Sequence, residues 1–555
     1  MGTELSGGMK YYKWHHTKNV AHTLYDVTAK DICDISMNGK TILLLVCVMA
    51  SVSAWSQEKV AKPKSGRSCG LEYMVEAQGS LARNATPLWL NANKHGLSSL
   101  EKSNGYLRAA MSRPLRADSA RRWGVGCALD VAVPFNYTSK FIVQQAYAEV
   151  RWLSGTLTVG SKQHDMEMKD GALSSGAQTF GTNARPVPQV RLALPEYWEV
   201  PHTRGLLHLK GHIAYGKFTD DGWQHDFTRR KSRYTDDVLY HSKAGYLKIG
   251  NEDLFIPWSL ECGLEMASQF GGTMYKPGMG GNMDVLENST SFSAFWHAFV
   301  PGGGDANETT YHNNEGNNLG SWLLRVNYDA DSWRIGVYAD KFFEDHSAMF
   351  QADYNGYGTG DEWNKKKKMR FFIYDFKDTM LGIDFHYKYN KWLKAVVLEY
   401  IYSKYQSGPV YHDHTPSLND HVSGRDNYYN HHIYPGWQHW GQVMGNPLYR
   451  SPIYNDDGTV EVKDNRFVAF HLGVSGKPND NLAYRLLATY QEGLGTYNSP
   501  YTKPRHNVSV MAEATYMFGK SLKGWSVRGA FGADMGSILG HNYGVQLTIS
   551  KSGLL

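Results

Sequence analysis

Asn507-Val-Ser-Val-Met-Ala-Glu-Ala-Thr-Tyr-Met-Phe518 is two residue sets interleaved. Val508, Val510, Ala512, Ala514, Tyr516 and Phe518 fall on one face of an extended chain. Asn507, Ser509, Glu513 and Thr515 fall on the other, where only Met511 and Met517 are apolar. Successive side chains leave a strand on opposite sides, so this alternation marks a half-buried β-strand. After the turn 519–524, Trp525, Val527, Gly529 and Phe531 alternate with Ser526, Arg528, Ala530 and Gly532. The last run sets Tyr543, Val545, Leu547 and Ile549 against Gly544, Gln546, Thr548 and Ser550.

The same pattern extends back along the chain. It appears in Val468, Phe470, Leu472 and Val474, and again from Leu482 to Tyr490 across the turn 477–481. Leu324, Val326 and Tyr328 turn into Trp333, Ile335 and Val337; Ile142, Ala146, Val150 and Trp152 read as one face, away from Gln145, Glu149 and Arg151. Alternation does not say which half meets lipid, and a secreted propeller or sandwich carries it too. Three features favour an antiparallel transmembrane barrel: aromatic residues near strand ends, charges on the opposite face, and short turns alternating with long polar inserts. At roughly 25–30 residues per strand and loop, the chain holds ~16–20 strands.

Thr41–Ala50 is the longest apolar run, with Lys40 before it and Ala54-Trp55-Ser56 after it. It is too short to span a membrane as a helix and reads as a cleaved signal peptide, residues 37–56. Residues 1–36 are then an upstream extension, 57–70 a short linker and 71–555 one barrel domain. Of 58 Lys and Arg, 5 lie in residues 1–56, and of 53 Asp and Glu, 4. The remaining excess of positive charge is too small to imply a nucleic-acid partner, and none is expected. Cys69, Cys127 and Cys262 remain after the signal; they form at most one pair, and the odd one is expected to be buried. The 36 Tyr, 16 Trp and 56 Gly, with a mean hydropathy of −0.48, exclude a helical membrane protein but not a barrel.

Ser423–Leu448 is the chemically richest stretch. It is broken by Gly and Pro yet dense in rings: Tyr428, Tyr429, Tyr434, Trp437 and Trp440, with His431, His432 and His439 among them. Aromatic faces beside Asp426 and Asn430 suit a sugar, whose C–H faces stack on rings while polar groups take hydroxyls. The same stretch also reads as a plug whose rings pack on one another. Asn183–Arg191 contains two prolines and is not a regular strand. Arg185, Gln189 and Arg191 could clamp a uronate or pyruvyl group, or brace the lumen against a carboxylate such as Glu149. Lys365–Lys368 reads as a solvated loop tip or a contact for acidic polysaccharide or lipopolysaccharide phosphate. His412-Asp413-His414 lacks a third metal ligand. Neither a catalytic motif nor a cofactor motif is present.

Three blocks resemble the capsule assembly protein Wzi family of outer-membrane β-barrels, in its Bacteroidetes-type form. They are Leu88–Ser99 with Gly105–Ala109, then Leu173–Gly176 with Asn183–Arg191, then Asp426–His431 through Gly436-Trp437 to Met444–Leu448. Asn542–Ile549 fits as well, so the resemblance runs from about Glu72 to Ser550. It implies an all-β outer-membrane barrel of about 18 strands whose long extracellular loops occlude the lumen. It also implies a lectin-like protein without enzymatic activity or cofactor that binds capsular or other surface polysaccharide. Outer-membrane lipid, lipopolysaccharide and the polysaccharide export machinery are the further partners. The residues expected to hold the glycan are Asp426, Tyr428, Tyr429, Asn430, His431, Trp437 and Trp440, with Arg185, Gln189 and Arg191. A porin or glycan-uptake channel, and a barrel-embedded hydrolase, are the alternatives.

Overall fold

Each alternating run in the sequence becomes one stave of a closed barrel. The computed structural model describes residues 70–555 apart from 252–255, 279–281, 301–315, 345–349, 355–366, 372–377 and 413–421; for 350–354, 367–371, 407–412 and 422–425 it describes the backbone alone. The staves are β1 (Glu72–Arg83), β2 (Ser103–Arg113), β3 (Trp123–Phe135), β4 (Ile142–Trp152), β5 (Gly155–Ser161) and β6 (Gln189–Glu199). Next come β7 (Leu207–Lys217), β8 (Leu239–Ile249), β9 (Trp258–Phe270), β10 (Asn317–Asp329), β11 (Trp333–Glu344) and β12 (Thr379–Tyr387). The last are β13 (Ala395–Tyr402), β14 (Phe467–Gly476), β15 (Leu482–Gly495), β16 (Pro500–Met517), β17 (Trp525–Gly536) and β18 (Asn542–Leu554).

Every stave pairs antiparallel with its sequence neighbours in one 18-stranded sheet. β1 closes the sheet on β18, from Glu72 opposite Leu554 to Arg83 opposite Tyr543. Closure leaves no open edge, which a membrane demands because lipid offers no partner for unpaired peptide groups.

The apolar half of each alternation faces outward. Leu129, Val133, Leu192, Leu324 and Phe470 are exposed on the outside, whereas Asp130, Glu149, Arg325, Asp340 and Glu399 are buried inside. A polar interior inside an apolar wall is the arrangement of a membrane barrel. Aromatic rows mark its rim: Trp258, Tyr328, Trp333, Phe385 and Tyr387 form a chain with ring centroids 4.6–5.4 Å apart. This row lies at the end that carries the short turns 153–154, 330–332, 388–394 and 477–481, the start of β1 and the end of β18. The longest connections, 84–102, 162–188, 218–238, 271–316, 345–378 and 403–466, all lie at the other end. Short turns mark the periplasmic side and long loops the extracellular side.

Three details differ from the sequence reading. Ile142 faces inward and is fully buried, not outward with Val150. A register shift puts Asp130 opposite Gln145 but Val131 opposite Val143, so Gln144 is an extra residue and the parity of β4 flips there. β1, at Glu72–Arg83, precedes the first alternation recognised in the sequence. Cys127 and Cys262 are free, and neither is buried; both sit on the outer wall, where a small apolar thiol suits lipid. Residues 1–69, including Cys69 and the signal segment, lie outside the described residues, as do Asp413 and His414. So do Lys365, Lys366 and the side chains of Lys367, Lys368 and His412.

Candidate functional site

Three of the extracellular loops do not stay outside. Leu88, Trp89, Leu90 and Ala92 from loop 84–102, Leu173 and Val187 from loop 162–188, and residues Tyr428–Val462 of loop 403–466 share one buried core. That core packs on inward residues of ten consecutive staves, from Tyr240 of β8 to Ala530 of β17. The loops therefore fill this side of the lumen as a plug. The segments 88–99, 173–191 and 426–448 are its three parts, and they interlock. The Asn93 backbone N–H donates to Asn183 Oδ1 at 3.1 Å, and Asn183 Nδ2 donates to the Val443 carbonyl at 3.0 Å. Asn446 Nδ2 donates to Ser175 Oγ at 3.1 Å.

Carboxylates on the inner wall anchor the plug. Glu399 accepts from Ser174 Oγ at 2.5 Å, the Ser175 N–H at 2.8 Å and the Tyr338 hydroxyl at 2.6 Å. Asp340 holds Lys169 Nζ at 2.8 Å and the Gln178 N–H at 3.1 Å. Asp534 accepts from the Leu88 N–H at 3.1 Å and Ser509 Oγ at 2.7 Å. Sequence reasoning missed these anchors. Their only signal was a lone acid on the polar face of a strand, which is ordinary in any barrel.

The ring-rich stretch 423–448 is the middle of the plug. Tyr428, Tyr429 and Trp437 are at most 1% exposed, so no sugar reaches their faces in this arrangement, and their contacts are those of a packed core. Tyr429 donates its hydroxyl to the Gln178 carbonyl and accepts from the Asn446 N–H. A Cβ at Gly445 would collide with that hydroxyl, so the tyrosine needs glycine there. Tyr428 donates to Asp378, and Trp437 Nε1 to the Thr179 carbonyl. Asp426 and His431 are buried as well. His431 Nδ1 accepts from the Ile433 and Tyr434 N–H groups, and burial holds its pKa well below the usual value. Asn430 mimics a backbone pair, donating to the Val462 carbonyl at 2.9 Å and accepting from its N–H at 2.8 Å. Rings placed in a loop read equally as platform or plug from sequence; burial decides for the plug.

Trp440 is different. It is half-buried at the tip of the hairpin Gln438-His439/Gln442-Val443. Trp440 and Gly441 both have positive φ, 57° and 82°. A bulky ring in that conformation is strained and is tolerated where its placement matters. The Arg185 guanidinium lies over the Trp440 ring at 4.2 Å, and it also donates to Ser139 Oγ at 2.8 Å. Ser139 sits between exposed Thr138 and Lys140 in the extracellular connection 136–141. The structure thus brings together two predicted residues from distant segments. Burial lowers the Arg185 pKa to about 10, which still leaves it charged.

Arg185, Gln189 and Arg191 line one cavity of about 450 Å³ between the plug and β4–β9. It runs from Phe180 and Met444 at the plug to Leu115 and Glu196 near the periplasmic end. The bracing role expected of an arginine at Glu149 falls instead to Lys162, 2.5 Å away. Among the described residues Arg191 has no hydrogen-bond or ion-pair partner, while His164 Nε2 and Gln189 Oε1 are buried and unpaired. A cavity with an unpaired guanidinium suits a carboxylate or another anionic group.

Asp464 gives the plug a pH dependence. It is fully buried, accepts from the Gly495 N–H at 3.1 Å and has an unpaired second oxygen. Burial raises its pKa to about 7. The folded protein then binds a proton that the unfolded chain releases near its ordinary value, 3.8. This contribution to stability is full below that value and is lost as pH rises through about 7. Asp464→Asn should therefore gain stability relative to wild type on going from pH 4 to pH 8. Heat-modified gel migration at the two pH values reads the difference; identical profiles would show that Asp464 titrates normally.

No family model and no curated protein matches the chain. Solved structures match it in fold. Wzi of Escherichia coli, described as an outer-membrane protein involved in group 1 capsule assembly and a carbohydrate-binding β-barrel, aligns with a TM-score of 0.53 at 12% identity, over 89% of this chain and 90% of its own. OprD of Pseudomonas aeruginosa gives 0.41 at 9% identity over 87% and 94%. OccK2 of the same organism gives 0.43 at 9% over 87% and 97%. Identity this low shows a shared fold and nothing finer: the chain is a closed 18-stranded barrel of the outer-membrane kind, the architecture also found in Wzi.

Proposed function

We propose that this barrel binds an exported polysaccharide, capsular or similar, at the cell surface and holds it there without chemical turnover. The observation that carries the reading is the plug. A lumen filled by three hydrogen-bonded loops suits a binding protein better than a porin or uptake channel, which needs a continuous aqueous path. The carbohydrate binding described for Wzi, with which the chain shares its fold, supports the same reading. The hydrolase alternative needs Ser, His and a carboxylate in sequence of contact. Ser242 and His212 lie 3.3 Å apart, but among the described residues no carboxylate holds the second ring nitrogen.

Trp440 and the buried Arg185 against it are the residues assigned to an acidic sugar: the indole stacks on the ring, and the guanidinium pairs with the acid where it lines the cavity. Arg191 and Gln189 provide a second, anion-binding subsite deeper in the barrel. The export machinery is the partner that would deliver the polymer, and the signal segment 37–56 would deliver the protein. Tyr428 and Trp437 are poor probes of binding, because truncating either one breaks the plug.

The test is polysaccharide retention in a deletion strain complemented at equal barrel abundance. Trp440→Gly removes the ring and keeps the turn, since glycine favours positive φ. Arg185→Gln removes the charge. A hydrogen bond to a charged group is worth about 1.5–3 kcal/mol, so Arg185→Gln should lose about tenfold or more in affinity for acidic polysaccharide, and Trp440→Gly the roughly twofold to tenfold of one ring contact of about 0.5–1.5 kcal/mol. The deletion strain should shed polymer into the medium, and the double variant should fail to restore it. Full retention in the deletion strain would overturn the reading.

A further inference from the structure

The connection 271–316 leaves the top of β9 and contains the helix Phe292–Phe299. This helix lies on the outside of the barrel. Its contacts are Tyr215, His241, Lys243, Ser268 and Phe270. Tyr215, His241 and Ser268 form one row across three staves, because Tyr215 pairs with His241 and His241 with Ser268. They share their face with Ile213, Ile249 and Trp258, each exposed on the outer wall. Phe270 and Ala294, Ala298 of the helix form a small core there, with Phe295 and Tyr215 packed against it.

The helix explains why polar residues occupy a lipid-facing wall. The last carbonyls of a helix have no partner within it. Here Ser268 donates to the Ala298 carbonyl at 3.4 Å and Lys243 to the Phe299 carbonyl, while Tyr215 adds a bond to the Phe295 carbonyl at 2.9 Å. These groups would be costly facing lipid; beneath the helix they secure its C-terminal end to the wall.

Among the described residues, nothing covers the opposite face of the helix. Phe292 is 85% exposed, Trp296 53% and Val300 42%. They recur at every fourth position and so form one ridge. No Asp, Glu, Lys or Arg occurs from residue 288 to 300. Lone exposed aromatics are common, but a Phe-Trp-Val ridge without charge is not a surface suited to water. The ridge continues the apolar outer wall near the extracellular ends of β7–β9, and tryptophan favours the level where headgroups meet acyl chains.

We infer that Phe292–Phe299 is an interfacial anchor whose Phe292–Trp296–Val300 ridge inserts into the outer leaflet beside the barrel. The helix widens the barrel's footprint in that leaflet and fixes its depth there, apart from any glycan binding.

The test uses the full chain with native cysteines replaced by alanine. Single reporters are placed as Phe292→Cys and Trp296→Cys, with Val133→Cys on the lipid-facing wall and Asp457→Cys on an exposed extracellular loop as references. Each is labelled with an environment-sensitive fluorophore and reconstituted into phosphatidylcholine vesicles with or without nitroxide-bearing lipid. Neither substitution touches the barrel core, and heat-modified migration confirms folding. The helix labels should lose roughly half or more of their emission to nitroxide lipid, as the Val133→Cys label does, and resist iodide in the water. Iodide quenching equal to that of the Asp457→Cys label would overturn the proposal. So would shielding from both quenchers together with self-quenching that grows with protein density, which would show a second copy of the barrel on the ridge.

Discussion

Glu399→Ala should open the barrel without unfolding it. Glu399 is buried on the inner wall of β13 and receives three hydrogen bonds, two of them from Ser174 and Ser175 of loop 162–188. Removing the carboxylate leaves those donors buried without a partner, at about 1–3 kcal/mol each. The loop can relieve that cost by leaving the wall, whereas the staves stay paired, because their backbone ladders do not depend on the Glu399 side chain. The expected result is a strong rise in ion conductance across planar bilayers and in small-solute entry into cells, with unchanged gel migration of the folded barrel. Glu399→Gln, which keeps the shape and one acceptor, should fall between the two. If Glu399→Ala conducts no more than wild type, the loop is held by other contacts.

Lys169→Met should damage the plug more than the double change Lys169→Met/Asp340→Asn. Lys169 and Asp340 pair at 2.8 Å with side chains 1% and 0% exposed. Breaking a buried pair from one side leaves an uncompensated charge and costs about 3–5 kcal/mol. Asparagine at 340 removes that charge and still offers an oxygen to the Gln178 N–H, which Asp340 now accepts at 3.1 Å. Limited proteolysis of folded barrels from the extracellular side should cut loop 162–188 faster in the single variant, and the double variant should recover most of the protection. Equal cleavage of the two would mean that the pair contributes nothing net.

Both predictions concern residues that no reading of the chain singled out. Extending the alternations that begin at Trp333 and Trp525 puts the acids at 340 and 534 on the lumen side, whereas Glu399 lies in a strand whose alternation was not read, so its face was not legible. The partners of these acids were not legible either, since Glu399 meets residues more than two hundred positions away. The same distance hid the meeting of Arg185 with Trp440. Tyr428, Tyr429 and Trp437 stand out in the sequence as rings in a loop, where platform and plug read alike; which residues they pack against could not be read there.

The sequence alone determined the wall. A two-residue period is a local property, so each run of alternating residues declares a strand, its lipid face and its lumen face, wherever the rest of the chain lies. It failed at Gln144, where one inserted residue reversed the parity, at β1, which was not recognised, and at Gln189–Arg191, which open β6. Tertiary structure alone decided what the loops do. A loop has no period, and whether its rings pack inside the lumen, as Trp437 does, or stand on the outer wall, as Trp296 does, depends on which distant residues meet them. Burial there is a free-energy balance over segments far apart in the chain, and no local pattern records it.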